Sequence, residues 1–395
     1  MSRFDEMMKE LCPNGVEYKA LGEIGYFYSG LTGKTKDDFK DGNAKFVTYM
    51  NVFSNPALSL AIDDRVRIED GERQNNIYYG DVIFTGSSET PDECGMSSVV
   101  TTHPTENLYL NSFCFGFRLY EPEMFCPDFL KHLFRACEMR KQISKTASGV
   151  TRFNVSKARF AKILIPVPPL PIQQEIVRIL DSFTTLEAEL EAELEARRKQ
   201  YCFCRDRLFI FNELYRNKEG IRLMSLGDSI CDITTGKLNA NAMTENGQYP
   251  FFTCDANPYR IDTFAFDTDA IIISGNGSQV GHITHYKGKF NAYQRTYVLS
   301  NFRHADVNYL FHYFNTFLRD HILKSAKKGS VPYITLPMLS GFVVPVPPLE
   351  EQRRIVSILD KFDALVNDLT SGLPAEIAAR RRQYEHYRDR LLSFN

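Results

Sequence analysis

Three groups of residues in this chain have types and spacings that chemistry could use. The first is Gly275-Asn276-Gly277-Ser278-Gln279-Val280-Gly281, a glycine-rich loop behind a strand-like run, of the kind whose backbone N–H groups can cradle a phosphate. Its third glycine falls one position too late for G-x-G-x-x-G, and the following His282-Ile-Thr-His285-Tyr reads as a strand, so the segment is better taken as a hairpin loop. The second is His282 with His285; three apart on a strand they face opposite ways, and no metal site is expected from them. The third is the acidic pair Asp92-Glu93, which has no lysine at nuclease spacing beyond it and reads as surface charge. No G-x-x-x-x-G-K-[ST] occurs, and Asn55-Pro-Ala-Leu and Asn257-Pro-Tyr-Arg both lack the second proline that an amino-methyltransferase motif requires. With no assembly of nucleophile, base and orienter to be found, neither a catalytic residue nor a cofactor is expected on this chain.

What remains is the chemistry of polyanion binding. The formal net charge is −2, yet residues 131–162 carry nine basic side chains against Glu138, a net of +8, and residues 282–330 carry eight basic side chains against two acidic ones. Segment 61–93 compensates with nine acidic and three basic residues. Two basic stretches on a near-neutral protein suit a bipartite nucleic-acid reader, in which phosphate contacts supply affinity and other side chains read base edges. Amide, hydroxyl and Arg side chains pair with bases, while Lys most often holds phosphate. The candidate DNA-contacting residues are therefore Lys145, Ser148, Thr151, Arg152 and Asn154 in the first stretch. In the second domain they are Asn276, Ser278 and Gln279 on the loop just before the second stretch, and Arg295, Lys327, Lys328 and Ser330 within it. Tyr286, Lys287, Lys289, Phe290, Tyr293 and Tyr297 interleave aromatic rings with the second set of charges.

Such readers need a scaffold. A length of 395 residues with 43% hydrophobic and 24% charged residues describes an ordinary folded protein of two or three domains. Nine Cys with no C-x-x-C pair suggest reduced thiols rather than a disulfide framework or a zinc finger, and no stretch has the apolar length of a membrane span, so a cytoplasmic protein without a membrane partner is expected. The chain also repeats itself. Ile165-Pro-Val-Pro-Pro-Leu170, Gln173, Ile176-Val177, Ile179-Leu180-Asp181 and Phe183 recur as Val344-Pro-Val-Pro-Pro-Leu349, Gln352, Ile355-Val356, Ile358-Leu359-Asp360 and Phe362, an offset of 179 residues. A weaker pair, Val16–Gly22 and Ile221–Gly227, precedes each copy.

The repeated blocks read as helices, because apolar residues fall every three or four positions from Ile172 onward. From about 172 to 212 a rise of ~1.5 Å per residue gives a rod of roughly 60 Å. In the second copy Ser371-Gly372-Leu373-Pro374 should split the rod, since Gly suits a helix end and Pro a first turn. Two matching stripes favour pairing with each other, and a pseudo-twofold axis between the halves would make the rods antiparallel. The expected seam is Ile176, Ile179, Phe183, Leu186, Leu190 and Leu194 on the first rod and Ile355, Ile358, Phe362 and Leu365 on the second. Between the rods the sequence diverges into mixed α/β blocks, with strands expected at Tyr78–Phe84 and Thr268–Ser274 and helices around 127–143 and 306–324.

These motifs carry a family resemblance. The doubled Pro-Val-Pro-Pro-Leu-x-x-Gln-x-x-Ile-Val-x-Ile-Leu-Asp-x-Phe, the Leu-Glu-Ala-Glu-Leu-Glu-Ala-Glu-Leu at 186–194, the Ser-Gly-Leu-Pro-Ala-Glu-Ile at 371–377 and the doubled Arg-Arg-[Lys/Arg]-Gln-Tyr resemble the conserved regions of the specificity subunit of type I restriction-modification enzymes. The resemblance implies an α/β (mixed α+β) fold, with two globular target recognition domains separated by two long antiparallel coiled-coil helical regions in pseudo-twofold arrangement. On that basis residues 1–165 form the first recognition domain, 166–214 the central helical region, 215–344 the second recognition domain and 345–395 the distal helical region. It further implies a non-catalytic, sequence-specific DNA-binding subunit. Each domain would read half of a bipartite duplex site. The helices would set the spacer and dock two modification subunits, adenine methyltransferases using S-adenosylmethionine, with restriction subunits using ATP and Mg joining the full complex. A self-contained enzyme and a scaffold that binds no DNA are the alternatives.

Overall fold

A computed structural model describes residues 3–209, 220–325 and 333–394. The chain divides into two compact units, Met1–Glu191 with Ile377–Asn395 and Ala192–Glu376.

The first unit is built on a four-stranded antiparallel sheet in the order Gly25–Ser29, Cys114–Leu119, Val82–Thr85, Ser97–Val99. Val82–Thr85 is buried at every position, which is why its sequence is a continuous β-branched and aromatic run without alternation. The strand expected at 78–84 thus begins four residues later, and Tyr78 and Tyr79 are exposed ahead of it. Three further strands, Arg65–Val66, Ala44–Val47 and Leu108–Leu110, form a second sheet with one parallel pair. The expected helix at 127–143 is two, Pro127–Leu133 and Cys137–Ser144. Phe84, Phe115, Phe117, Phe129, Phe134 and Phe160 fill the core beneath the first sheet.

The proline-rich motif has a definite place. Leu164–Val167 pairs antiparallel with Glu17–Ala20, Pro166 lying opposite Tyr18. A two-stranded edge tolerates a residue that has no N–H to donate. The long helix Leu170–Phe209 then starts with Pro171 in its first turn, where a missing N–H costs nothing. Ile172, Ile176 and Leu180 are fully buried in the core of the first unit. The second unit repeats the arrangement: Arg222–Ser225 pairs with Val343–Val346, Pro345 lies opposite Leu223, and helix Leu349–Asn367 follows. Its main sheet has six strands in the order Asp232–Thr235, Thr296–Ser300, Phe266–Ser274, Ile283–Ala292, Tyr249–Phe252, Tyr259–Ile261. Helix Val307–Ser325 packs Tyr309, Leu310, Phe314, Leu318 and Ile322 into the core of that unit.

The expected break falls where Gly and Pro stand, between helices Leu349–Asn367 and Leu373–Leu391. In the first unit the end of the last helix runs antiparallel to the start of the long one. Phe183 stacks on Tyr387 with centroids 5.2 Å apart, and Arg381 meets Glu187 and Glu191. In the second unit Tyr201, on the later part of the long helix, faces Phe362 at 6.1 Å. The residues expected on the seam differ in burial. Ile176 and Ile355 are buried in the cores of their own units. Leu365 is 38% exposed, and Val366, at 1%, occupies the buried position, because the stripe Ile355, Leu359, Phe362, Val366 follows a period of 3.6. Leu186, Leu190 and Leu194 are half-buried. All nine cysteines are free, and Cys202 is exposed.

Candidate nucleic-acid interface

Each unit fastens its globular part to its helix with the same two polar devices. Gln173 is completely buried; its Nε2 donates to the carbonyls of Pro168 (2.8 Å) and Met124 (3.0 Å), while its Oε1 accepts from the N–H of Cys126 (2.8 Å). Gln352 does the same in the second unit, donating to Pro347 (2.7 Å) and His304 (3.1 Å) and accepting from Asp306 N–H (2.7 Å). A neutral amide suits the position because it offers donors and an acceptor without a charge to desolvate. The second device is a His–Asp pair: His132 Nε2 lies 2.8 Å from Asp181 Oδ1, and His312 Nε2 lies 2.7 Å from Asp360 Oδ1. Burial would raise the Asp181 carboxyl, but hydrogen bonds from His132 and Lys131 outweigh it and hold the group below the usual carboxylate value.

Over this repeated frame lie loops that differ between the two units. In the first unit they meet at a small three-stranded sheet, Ala147–Ser148, Phe153–Val155 and Ser87–Ser88. Its hairpin tip needs Gly149, which has φ +153° and where a Cβ would fall 2.0 Å from the Arg152 carbonyl. A pocket of about 500 Å³ opens beside the tip, bringing together Met50, Ser87, Glu89, Phe113, Thr151 and Arg152. Met50 and Phe113 are 60% and 55% exposed, large apolar surface with no core role. Glu93, on the same rim, accepts from Ser88 Oγ at 3.1 Å and Thr90 Oγ1 at 3.0 Å.

The second unit has the corresponding junction. Gly86 N–H donates to the Phe113 carbonyl (2.7 Å) and Val155 N–H to the Gly86 carbonyl (3.0 Å); Gly275 N–H donates to the Arg295 carbonyl (3.0 Å) and Ile334 N–H to the Gly275 carbonyl (2.8 Å). Arg295 therefore stands where Phe113 stands in the first unit. A cleft of about 290 Å³ there is lined by Gly275, Gln294, Arg295, Tyr297 and Ile334.

The candidate residues fall as follows. Ser148, Thr151, Arg152 and Asn154 share the hairpin and are exposed, and Lys145 is exposed at the end of the preceding helix. Ser278 and Gln279 are exposed on the loop 275–281, a hairpin turn as expected, closed by Gly281 N–H to the Ser274 carbonyl at 2.8 Å. Asn276 bridges to Tyr333 at its base, and Arg295 is exposed. Lys327, Lys328 and Ser330 lie outside the described residues. The basic stretches are not continuous positive faces. Arg135 and Arg140 turn inward: Arg135 binds the carbonyls of Val52, Phe53 and Ser97, and Arg140 those of Asp92, Cys94 and Gly95. Burial brings both guanidinium groups down to about 10. Lys131 is tied to Asp128 and Asp181. In the second unit Phe290 is fully buried and Tyr286 packs beside it, so these rings serve the core. Lys289 rests over Phe264 at 4.6 Å.

The pocket residues Met50, Ser87 and Phe113 carry no local signal, since four chain segments converge to make the site. The roles of Gln173, Asp181 and their counterparts were visible as repetition only. His285 pairs with Asp269 at 2.6 Å, and among the described residues no group of three or more His, Cys, Asp or Glu could hold a metal ion. None of the described helices is long and apolar enough to cross a membrane.

The family model described as "Type I restriction modification DNA specificity domain" matches residues 13–196 and again 218–379. The Escherichia coli type I restriction enzyme EcoR124I/EcoR124II specificity subunit is 37% identical over 259 residues, 59% of this chain and 63% of that protein; the chain thus spans less than two thirds of that relative. A putative type I specificity subunit of Mycoplasma pneumoniae is 33% identical over 243 residues, covering 58% of this chain and 92% of that one. In fold, the chain resembles the HsdS subunit from Thermoanaerobacter tengcongensis with a TM-score of 0.57 at 20% identity, over 96% of this chain and 97% of that one.

Proposed function

Because the chain belongs to the type I restriction-modification DNA specificity family, we propose that it is the DNA-reading subunit of such a system, each unit reading one half of a bipartite duplex site. The observation that carries this reading is a duplicated frame under unlike loops. The Gln and His–Asp fastenings and the strand pair recur in both units, whereas the loop junction presents Phe113 and Arg152 in one and Gln294 and Arg295 in the other. A repeated support with unlike tips suits a protein that must dock two copies of one partner while recognising two different sequences.

In this reading the chain performs no chemistry. Two modification subunits bind S-adenosylmethionine and methylate an adenine in each half-site, and restriction subunits add ATP- and Mg-dependent cleavage. The repeated helices dock the modification subunits and set the spacer between half-sites.

The test is selection of duplexes from a pool with a long randomised stretch by the full chain. The expected result is one motif with two fixed half-sites and a nonspecific spacer of constant length. Log affinity for it should fall linearly with log salt, at about −0.9 per phosphate contacted. Enrichment of no motif, or methylation of DNA by the purified chain alone with S-adenosylmethionine, refutes the proposal.

A further inference from the structure

The pocket beside the hairpin 147–155 holds one side chain anchored at two points, that of Arg152. Its Nε donates to Ser87 Oγ at 3.1 Å, and its guanidinium lies over the Phe113 ring at 5.5 Å. Both supports are themselves fixed. Ser87 is buried, pairs with Asn154 in the small sheet, and accepts at its carbonyl from Tyr49 Oη at 2.9 Å. Phe113 is held by Asn111 Oδ1 on its N–H (2.8 Å) and by Gly86 on its carbonyl. With Nε and one face engaged, the two Nη groups have no partner among the described residues. They form a fork of parallel donors on an exposed loop.

The surroundings decide what the fork meets. Glu89 and Glu93 line the same pocket, and two carboxylates make it a poor seat for a phosphate. A guanine edge offers O6 and N7, two adjacent acceptors matched to an Arg fork; adenine offers one acceptor beside an amino donor, which an Arg cannot satisfy. The walls are rigid as well, since Arg135 holds the end of the helix bearing Met50 by the carbonyls of Val52 and Phe53, and Arg140 holds the loop after Glu89 by those of Asp92, Cys94 and Gly95. An ordering cost met before binding favours selectivity. Resting on the DNA-reading function proposed above, we infer that this pocket reads one base pair of the half-site of the first unit and that Arg152 specifies its guanine through O6 and N7.

The experiment compares wild-type full chain with R152A and R152K in the randomised-duplex selection, followed by titration of the wild-type winning duplex. Lys keeps the charge but cannot make the two-pronged contact. Both variants are expected to lose guanine at a single position of one half-site, leaving all other positions intact. Affinity for the wild-type duplex should fall roughly 5- to 150-fold, the equivalent of one bidentate contact. A wild-type motif that both variants reproduce unchanged overturns the inference and leaves the DNA-reading function standing. Weakening by R152A across all sequences, restored by R152K, makes Arg152 a phosphate contact and also overturns it. Failure of the wild type to enrich any motif removes the underlying function, and the inference with it. Because Arg152 is exposed, neither variant disturbs the core, and unchanged circular dichroism checks this.

Discussion

Replacing Gln173 by Ala should uncouple the globular part of the first unit from its helix. The side chain is completely buried and makes three hydrogen bonds of 2.8 to 3.0 Å. Each is worth about 1 kcal/mol net, and the Cys126 N–H and the carbonyls left behind lose partners at sites water reaches poorly, so the total loss is about 3–5 kcal/mol. That is a large part of the about 5–15 kcal/mol that holds a typical domain together. Gln173→Glu keeps the shape and the acceptor but turns an oxygen toward the Pro168 and Met124 carbonyls, and should cost at least as much at neutral pH. The assay is hydrogen exchange resolved to peptides in the full chain, because two units need not unfold in one transition. Amides around Cys126, which precedes the helix Pro127–Leu133, should exchange faster by two orders of magnitude or more, the equivalent of about 3 kcal/mol. Amides of 304–310 should be unaffected, and Gln352→Ala should reverse the pattern. Unchanged protection at Cys126 in Gln173→Ala would refute the argument that this amide is a structural fastening.

Other perturbations test other parts of the reasoning. Burial holds the His132 imidazole below its ordinary value of 6.5, against the opposing pull of Asp181. The neutral ring is therefore favoured in the folded state, and its contribution is complete above pH 6.5 and lost as pH falls from 6.5 toward the depressed value. Thermal midpoints should decline through that window and His132→Gln should flatten the decline; an unaltered slope would count against it. Asp81, 1% exposed, accepts from Tyr28 Oη, Tyr78 N–H and two nitrogens of Arg118. Asp81→Asn leaves a partly buried guanidinium without its counter-charge and should cost about 3–5 kcal/mol in denaturant unfolding. Arg381→Ala breaks an exposed cluster with Glu187 and Glu191, and should cost less than about 1 kcal/mol, vanishing in high salt.

The parts of the fold that could be read from sequence are those written twice. Prolines 166 and 345, Gln173 and Gln352, and Asp181 and Asp360 occupy matching places, and the Gly372-Leu373-Pro374 break falls where backbone chemistry requires it. The candidate site was legible only in part. Hairpin residues 148–154 announce themselves by composition, but charge counting cannot say which way a side chain points. Arg135 and Arg140 add to a basic total and yet spend their donors on buried carbonyls. Tyr286 and Phe290 look like stacking platforms because a strand of alternating charged and aromatic residues reads alike whether its rings face bases or a core. Met50 and Phe113 could not be found at all, since the pocket they share with Arg152 is made in three dimensions by segments far apart in the chain.

The first unit is sewn shut by residues 377–394, through the Tyr384 hydroxyl on His132 (3.0 Å), the Tyr387 ring on Phe183 and the Asp389 carboxylate on the Cys137 N–H (3.0 Å). During synthesis those stitches emerge from the ribosome only after the whole of residues 192–376. The second unit can thus mature while the first still waits with Phe183 uncovered, and a pause in translation would leave the earlier-made half as the one exposed to chaperones and proteases.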